Sequence, residues 1–199
     1  TALWDTKYNK NVILLDGVRD TLGATLKMLG YSLNTTNPDE INEAKEKLIE
    51  LKKNGNLLAI GADDNTDKMA RGEAAISILW SGEGLNLEAE HDNLKFVVPK
   101  EGANFWIDSL CIPKGTKNKE NAELFISYLC EKDPSFRTAD EIGYTTPQKE
   151  AREEQDDNVK NNPNAYMDDE LLKKCESYNY LGDNLRLYED AWTQFKDYQ

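Results

Sequence analysis

The 199-residue chain lacks any run of about 18 apolar residues, so no stretch of it reads as a membrane-spanning helix. It has one histidine, His91, set between Glu90 and Asp92 in a polar stretch, where a solvated side chain is the natural reading. A Ser-His-Asp triad would have to use that residue, and no G-x-S-x-G elbow occurs. Gly82-Glu83-Gly84 lacks the third glycine of a dinucleotide fingerprint, and no Walker sequence is present. Asp63-x-Asn65-x-Asp67 opens like a calcium loop, but Lys68 stands where such a loop needs glycine and Ala74 where it needs glutamate. It reads as a capped turn. Cysteine is scarce: Cys111, Cys130 and Cys175 are odd in number and form no C-x-x-C. That excludes a disulfide framework and a zinc site and leaves three small buried hydrophobes. Neither a cofactor nor a metal is expected, and no motif supports an enzyme.

Positive charge is also scarce. Lys and Arg number 24 against 37 Asp and Glu, giving a net charge of −13. Such a chain repels phosphates, so nucleic acid is not an expected partner. Acidity serves solubility first and favours cationic partners second. Glycine (12) and proline (6) are too few for a collagenous or low-complexity chain. Thr1-Ala2-Leu3-Trp4-Asp5 has neither a basic n-region nor an apolar h-region; a mature chain would look the same, so the compartment stays open.

What is present is alternation. Asn11–Leu15 reads as a buried strand ending at Asp16-Gly17, and Val18–Leu29 as a helix closed by Gly30. Asn37 caps a second helix with Pro38 in its first position, and Asn54-Gly55 ends it. Leu57–Ile60 is a second strand, Lys68–Glu73 a short helix and Ala74–Trp80 a third strand, followed by a turn at 81–84. Leu85–Glu90 is helical, Phe96–Val98 a fourth strand stopped by Pro99, and Phe105–Ile112 a fifth stopped by Pro113. Helices follow at Asn118–Cys130 (Ala122, Phe125, Ile126 and Leu129 inward), Phe136–Ile142, Asp168–Cys175 and Asn184–Phe195; Glu150–Pro163 is an exposed helix or loop. The order predicts an α/β sheet with helices on its faces.

Aromatic residues and carboxylates recur at the strand ends. Trp80 ends the third strand, Trp106 and Asp108 share a face of the fifth, and Asp16 and Asp20 follow the first, one helical turn apart. Ligands of open α/β sheets bind outside the carboxyl ends of strands. Tryptophan faces attract cations and carboxylates bond ammonium groups, so this composition suits an organic polycation. The alternative is that these tryptophans are core.

Several stretches carry a resemblance. They are Leu15-Asp16-Gly17-Val18-Arg19-Asp20, Met28-Leu29-Gly30-Tyr31-Ser32 with Asn34-Thr35-Thr36, Gly72-Glu73 through Leu79-Trp80-Ser81-Gly82, and Pro99-Lys100-Glu101-Gly102. The clearest are Phe105-Trp106-Ile107-Asp108-Ser109-Leu110-Cys111-Ile112-Pro113 with Lys117-Asn118-Lys119, and Ile142-Gly143-Tyr144-Thr145-Thr146-Pro147. Together they resemble, in order and over nearly the whole chain, the later part of the polyamine-binding (spermidine/putrescine) receptors of ABC importers.

The resemblance implies a periplasmic-binding-protein-like (type II) α/β fold that closes on its ligand like a hinge. It implies a second lobe at 1–108, a crossover segment at 109–148 that normally packs in the first lobe, and C-terminal helices at 149–199 returning to the second lobe. It implies that Trp80 and Trp106 box the polyamine methylenes, that Asp108 takes an ammonium group and that Tyr144 lines the pocket. The family pattern D-D-A-R-E becomes Asp16-Gly17-Val18-Arg19-Asp20 here, so its second aspartate falls on Gly17 and its glutamate on Asp20; Asp20 is the better amine ligand and Asp16 its neighbour. A family glutamine aligns roughly with Tyr178, a further departure. Because the family carries a first-lobe segment ahead of the residue matching Thr1, the 109–148 segment is expected to pack on another copy or on a separately supplied half. The implied partners are a polyamine and an importer permease, and the implied location is extracytoplasmic. A receptor of the same fold for another cationic solute, and a non-binding interaction domain, are the alternatives.

Overall fold

The computed structural model describes residues 2–198. In chain order the elements are β1 (Val12–Leu15), α1 (Val18–Leu29), α2 (Pro38–Lys53), β2 (Leu57–Gly61), α3 (Asp64–Ala70), β3 (Ile76–Ser77), α4 (Ser81–Glu90), β4 (Asn104–Phe105), α5 (Lys119–Leu129), α6 (Lys132–Ile142), α7 (Lys149–Glu154), α8 (Asp157–Lys160), α9 (Asp169–Leu172), β5 (Glu176–Ser177) and α10 (Leu185–Asp197). They form two compact units. One comprises residues 2–80, 98–106 and 169–198, the other residues 81–97 and 107–168.

The first unit is built on parallel strands in the order β2-β1-β3, with β4 pairing β5 in a second parallel ladder. β1 is buried at all four positions, as a strand covered on both faces must be, and its apolar run carries no alternation. α1, α2 and α10 cover it. Leu22 and Leu26 of α1, Ile41, Ala44, Leu48 and Leu51 of α2, and Tyr188, Trp192 and Phe195 of α10 share one core with Val12 and Leu14. Gly30 ends α1 at φ 88°, a conformation that costs glycine nothing, and its N–H donates to the Leu26 and Lys27 carbonyls. Asn37 caps α2 by accepting from Asp39 N, with Pro38 next in line.

The second unit holds α4 to α8. Its anchor is the 143–147 turn: Tyr166 Oη donates to Gln155 Oε1 at 2.5 Å and accepts from Thr146 N at 3.1 Å, while Arg152 stacks on the Tyr166 ring at 3.8 Å. A three-way lock of this kind holds a turn that has little apolar burial of its own.

Several sequence expectations need correction. Residues 81–84 form the first turn of α4, not a reverse turn, because Gly82 and Gly84 admit the Tyr144 and Phe96 rings against the helix backbone. Phe96–Val98 is not a strand: its first N–H is spent on the Glu88 carboxylate at 3.1 Å rather than on a neighbouring strand. The fifth strand stops at Phe105, since no partner strand runs beside residues 106–112 among the described residues, and Ile107 and Leu110 stand exposed. β3 is confined to Ile76 and Ser77, where it pairs with Val12 and Ile13. The Asp63–Asp67 turn is a helix instead, α3, with Lys68 reaching back to Asp64. In α5 no residue is buried; Phe125, expected inward, is 59% exposed, and Leu124 and Tyr128 join it. Of the three cysteines only Cys175 is buried; Cys111 and Cys130 are exposed, lying in segments that bury little.

Candidate functional site

Five candidate residues of the first unit lie at or just beyond the carboxyl ends of parallel strands. Asp16 follows β1 and Asp20 sits in the first turn of α1. Trp80 lies three residues after β3, Trp106 directly after β4 and Tyr178 directly after β5. That end of a parallel sheet is where α/β folds gather ligand groups. Trp80 is partly buried and Trp106 is 39% exposed, and neither is among the buried residues of the core.

The structure joins Asp20 to Tyr178. The tyrosine hydroxyl donates to Asp20 Oδ1 at 3.0 Å, 158 positions away in the chain. Burial, then the Asp20 charge and this hydrogen bond, push the Tyr178 hydroxyl far above its ordinary value, so it stays a donor at neutral pH. Arg19 flanks the pair. Its guanidinium lies 4.7 Å from the Tyr178 ring centre and 4.9 Å from that of Tyr188, and it donates to Leu33 O at 3.1 Å and Asn34 Oδ1 at 2.8 Å. Asn34 in turn donates to Ser177 O at 2.8 Å and accepts from Asn179 N at 2.9 Å, which fixes the backbone on both sides of Tyr178. Tyr188 is fully buried; its hydroxyl lies 2.8 Å from Thr35 O and 3.1 Å from Leu33 O, and burial pushes its pKa up to about 12.

Asp16 is placed differently. Both of its carboxylate oxygens lie 3.1 Å from Lys196 Nζ, so it already holds an ammonium group. The sequence offered no signal for this partner beyond Lys196 following Trp192 by one helical turn on α10; the Nζ lies 5.8 Å from that tryptophan's ring. Arg19 was visible only as a member of the quoted motif, with nothing to mark it as the group that organises Tyr178.

In the second unit, Tyr144 packs on the first turn of α4, where a methyl group on Gly82 would overlap its ring. Burial and then the Glu83 and Asp108 charges raise the Tyr144 hydroxyl, which places Asp108 within electrostatic reach of it. Asp108 itself is exposed, in irregular chain rather than on a strand. Gln155 Nε2 donates to Tyr144 O at 3.3 Å and holds the turn from behind. Among the described residues no group of three or more His, Cys, Asp or Glu is placed to hold a metal ion.

A profile of the bacterial extracellular solute-binding proteins matches residues 1–167. The chain belongs to that family. Two curated spermidine/putrescine-binding periplasmic proteins, from Salmonella typhimurium and Escherichia coli, are 36% and 34% identical to it over 194 residues, 98% of the chain. The chain spans 55% of the length of each, about half. A solved spermidine/putrescine ABC transporter substrate-binding protein from Streptococcus pneumoniae superposes with a TM-score of 0.88 at 35% identity, over 99% of this chain and 61% of that one. A Treponema pallidum lipoprotein superposes at 0.83 with 23% identity, a likeness of fold alone. The expected α/β binding-protein fold is therefore present. None of the described helices is long and apolar enough to cross a membrane.

Proposed function

We propose that this chain captures polyamines outside the cytoplasm, as part of a solute receptor that hands spermidine or putrescine to the permease of an ABC importer, and that it is a binding module with no catalytic role. The observation that carries the reading is the composition of the strand ends in the first unit: an oriented carboxylate, Asp20, with Trp80 following β3 of one parallel ladder and Trp106 following β4 of the other, on a chain of net charge −13. Carboxylates and tryptophan faces favour a cation there, and the relatives from Salmonella typhimurium and Escherichia coli are named for spermidine and putrescine. In the second unit, Asp108 is proposed as an ammonium-binding carboxylate and Tyr144 as a pocket-lining ring, on the strength of the resemblance alone. Each charge-assisted hydrogen bond to an ammonium group contributes roughly 1.5–3 kcal/mol, and each tryptophan face roughly 0.5–2 kcal/mol. Several such contacts are needed to offset the ordering of a flexible chain of methylenes. Enclosure of the ligand strengthens all of them by removing water. Asp16 contributes only after releasing Lys196.

The 109–148 segment is proposed to pack on a surface outside these 199 residues, a second copy or a first lobe. The support is the exposure of Leu124 (69%), Phe125 (59%) and Tyr128 (54%) along α5. Light scattering that returns a strictly monomeric, cooperatively unfolding chain argues against it.

The test of the ligand is calorimetry with spermidine and putrescine at low and moderate salt, beside a panel of amino acids and oxyanions. Saturable one-site binding of a polyamine that survives moderate salt is expected. In a two-lobed receptor carrying this sequence, Asp108→Ala and Trp106→Ala each weaken that binding at least about tenfold, the loss of one contact of the strength given above. Saturation by an oxyanion or amino acid with no response to either polyamine overturns the reading.

A further inference from the structure

Gly17 has no backbone reason to be glycine. Its φ of −133° and ψ of 116° are extended values that any residue adopts, and it occupies the N-cap of α1, where Ser, Thr, Asp or Asn would add a hydrogen bond. What the missing side chain provides is room. A methyl group on Gly17 would collide with Asp20 Oδ2 and come within 3.1 Å of Asp20 Cγ and 3.2 Å of Cβ. The Asp20 carboxylate thus folds back over Gly17 with one oxygen in the hollow, while its other oxygen accepts from the Tyr178 hydroxyl at 3.0 Å.

The support behind Tyr178 is equally specific. Arg19 stacks on its ring, and Asn34 holds the backbone at Ser177 and Asn179. Arg19 is anchored by Asn34 Oδ1 and Leu33 O, and packs on the buried Tyr188. Arg19, Asn34 and Tyr178 are therefore held by partners other than Asp20. A carboxylate offers about four lone-pair directions and Tyr178 takes one, leaving acceptor capacity for an alkylammonium group.

We propose that Gly17 and Tyr178 are positioning residues that hold the Asp20 carboxylate in a single rotamer before ligand arrives, and so set its affinity for an alkylammonium group. This deepens the polyamine reading and rests on it for the ligand, but the positioning itself can be read without any ligand. The two residues act on different oxygens of one carboxylate, so their effects on it are coupled rather than additive. The hollow also makes this end intolerant of a second side chain: a residue at position 17 displaces the carboxylate at position 20 instead of joining it.

The experiment uses the chain as it is, with Tyr178→Phe and Gly17→Ala. Both variants are expected to fold, because the first keeps the ring and the closest clash in the second is with a carboxylate oxygen that rotation about the Asp20 χ1 moves away. Three-bond couplings from Asp20 Cγ to its backbone nitrogen and carbonyl carbon report χ1 directly. The wild type is expected to show one rotamer, Tyr178→Phe an average and Gly17→Ala a different rotamer, with cooperative unfolding retained in Tyr178→Phe. Titration with spermidine and putrescine is expected to give an affinity about fivefold lower in each variant, less than the loss of a whole hydrogen bond to a charged group because the Asp20 carboxylate itself remains. The double variant is expected to be no worse than the weaker single one. Averaged couplings in the wild type, or couplings unchanged in both variants, overturn the proposal. So do displaced couplings with undiminished polyamine affinity. A single wild-type rotamer lost in both variants, together with no response of any of the three chains to either polyamine, upholds the positioning and counts against the polyamine reading instead.

Discussion

Lys196 Nζ sits 3.1 Å from each carboxylate oxygen of Asp16, tying the last turn of α10 to the end of β1. Both side chains are about two-fifths exposed, at 42% and 41%. A pair so wetted is screened by solvent and salt, and its net worth is below about 1 kcal/mol. Lys196→Met is therefore expected to lower the unfolding free energy by less than that, with the difference vanishing at high salt in urea titrations. A loss of several kcal/mol that persists in salt would show that α10 is held chiefly by this bond rather than by Tyr188, Trp192 and Phe195.

The first unit was legible where one local rule dominated. β1, α1 and α2 follow from an unbroken apolar run, a helical period, an Asn-Pro start and a glycine stop, and the structure returns each within a residue or two. The strand readings at 74–80 and 105–112 were too long and the one at 96–98 failed, because an apolar run of that length also fits irregular chain, and pairing is a property of the partner, which composition does not reveal. The same holds for the site. The placement of Asp20 and Trp80 near strand ends was readable, whereas the Asp16–Lys196 and Asp20–Tyr178 pairs join residues 180 and 158 positions apart. Gly17 looked like a lost ligand; only the atoms show that its emptiness is occupied.

Glu176, at the start of β5, gives the first unit an acid-sensitive fastening. Its carboxylate is opposed by burial, but Lys27 at 2.8 Å and the Ser32 hydroxyl outweigh that and hold it below its ordinary value of 4.5. A carboxyl whose folded value is depressed contributes stability that is fully present above 4.5 and lost as pH falls through the folded value. The chain is expected to lose stability with acid in that window, and Glu176→Gln is expected to flatten this part of the profile while being less stable than wild type at neutral pH. Parallel wild-type and Glu176→Gln profiles below 4.5 would remove this carboxylate from the acid response.

The three thiols should divide by unit. Cys111 and Cys130 are exposed, while Cys175 is buried; its Sγ accepts from Ala103 N at 3.4 Å and lies 3.5 Å from Leu171 O beside the β4–β5 ladder. Titration with an aromatic disulfide is expected to consume two thiols quickly and the third only with unfolding. Three fast thiols would mean that the ladder carrying Trp106 and Tyr178 opens readily, and that the strand ends near it are not preorganised.

Two glycine-to-alanine changes inside helices should move stability in opposite directions. Alanine is favoured over glycine in a helix by roughly 0.5–1 kcal/mol, provided the methyl group has space. At Gly23 it has: the added carbon would sit 3.4 Å from Leu33 Cβ and 3.8 Å from the Tyr178 hydroxyl, ordinary contact distances. At Gly82 it has none, since it would overlap the Tyr144 ring, with Cζ at 2.6 Å. That ring cannot simply withdraw. Its backbone follows Gly143 at φ 73° and is held by Gln155 at Tyr144 O. Overpacking of a fixed ring costs about 1–3 kcal/mol, more than the helix gains in its first turn. Gly23→Ala is thus expected to raise the unfolding midpoint slightly, and Gly82→Ala to lower stability by about 1–2 kcal/mol net. Equal and small effects at both positions in denaturant titrations would mean that Tyr144 moves freely off α4, and the turn at 143–147 would then have to be regarded as a loose carrier of that side chain rather than a fixed one.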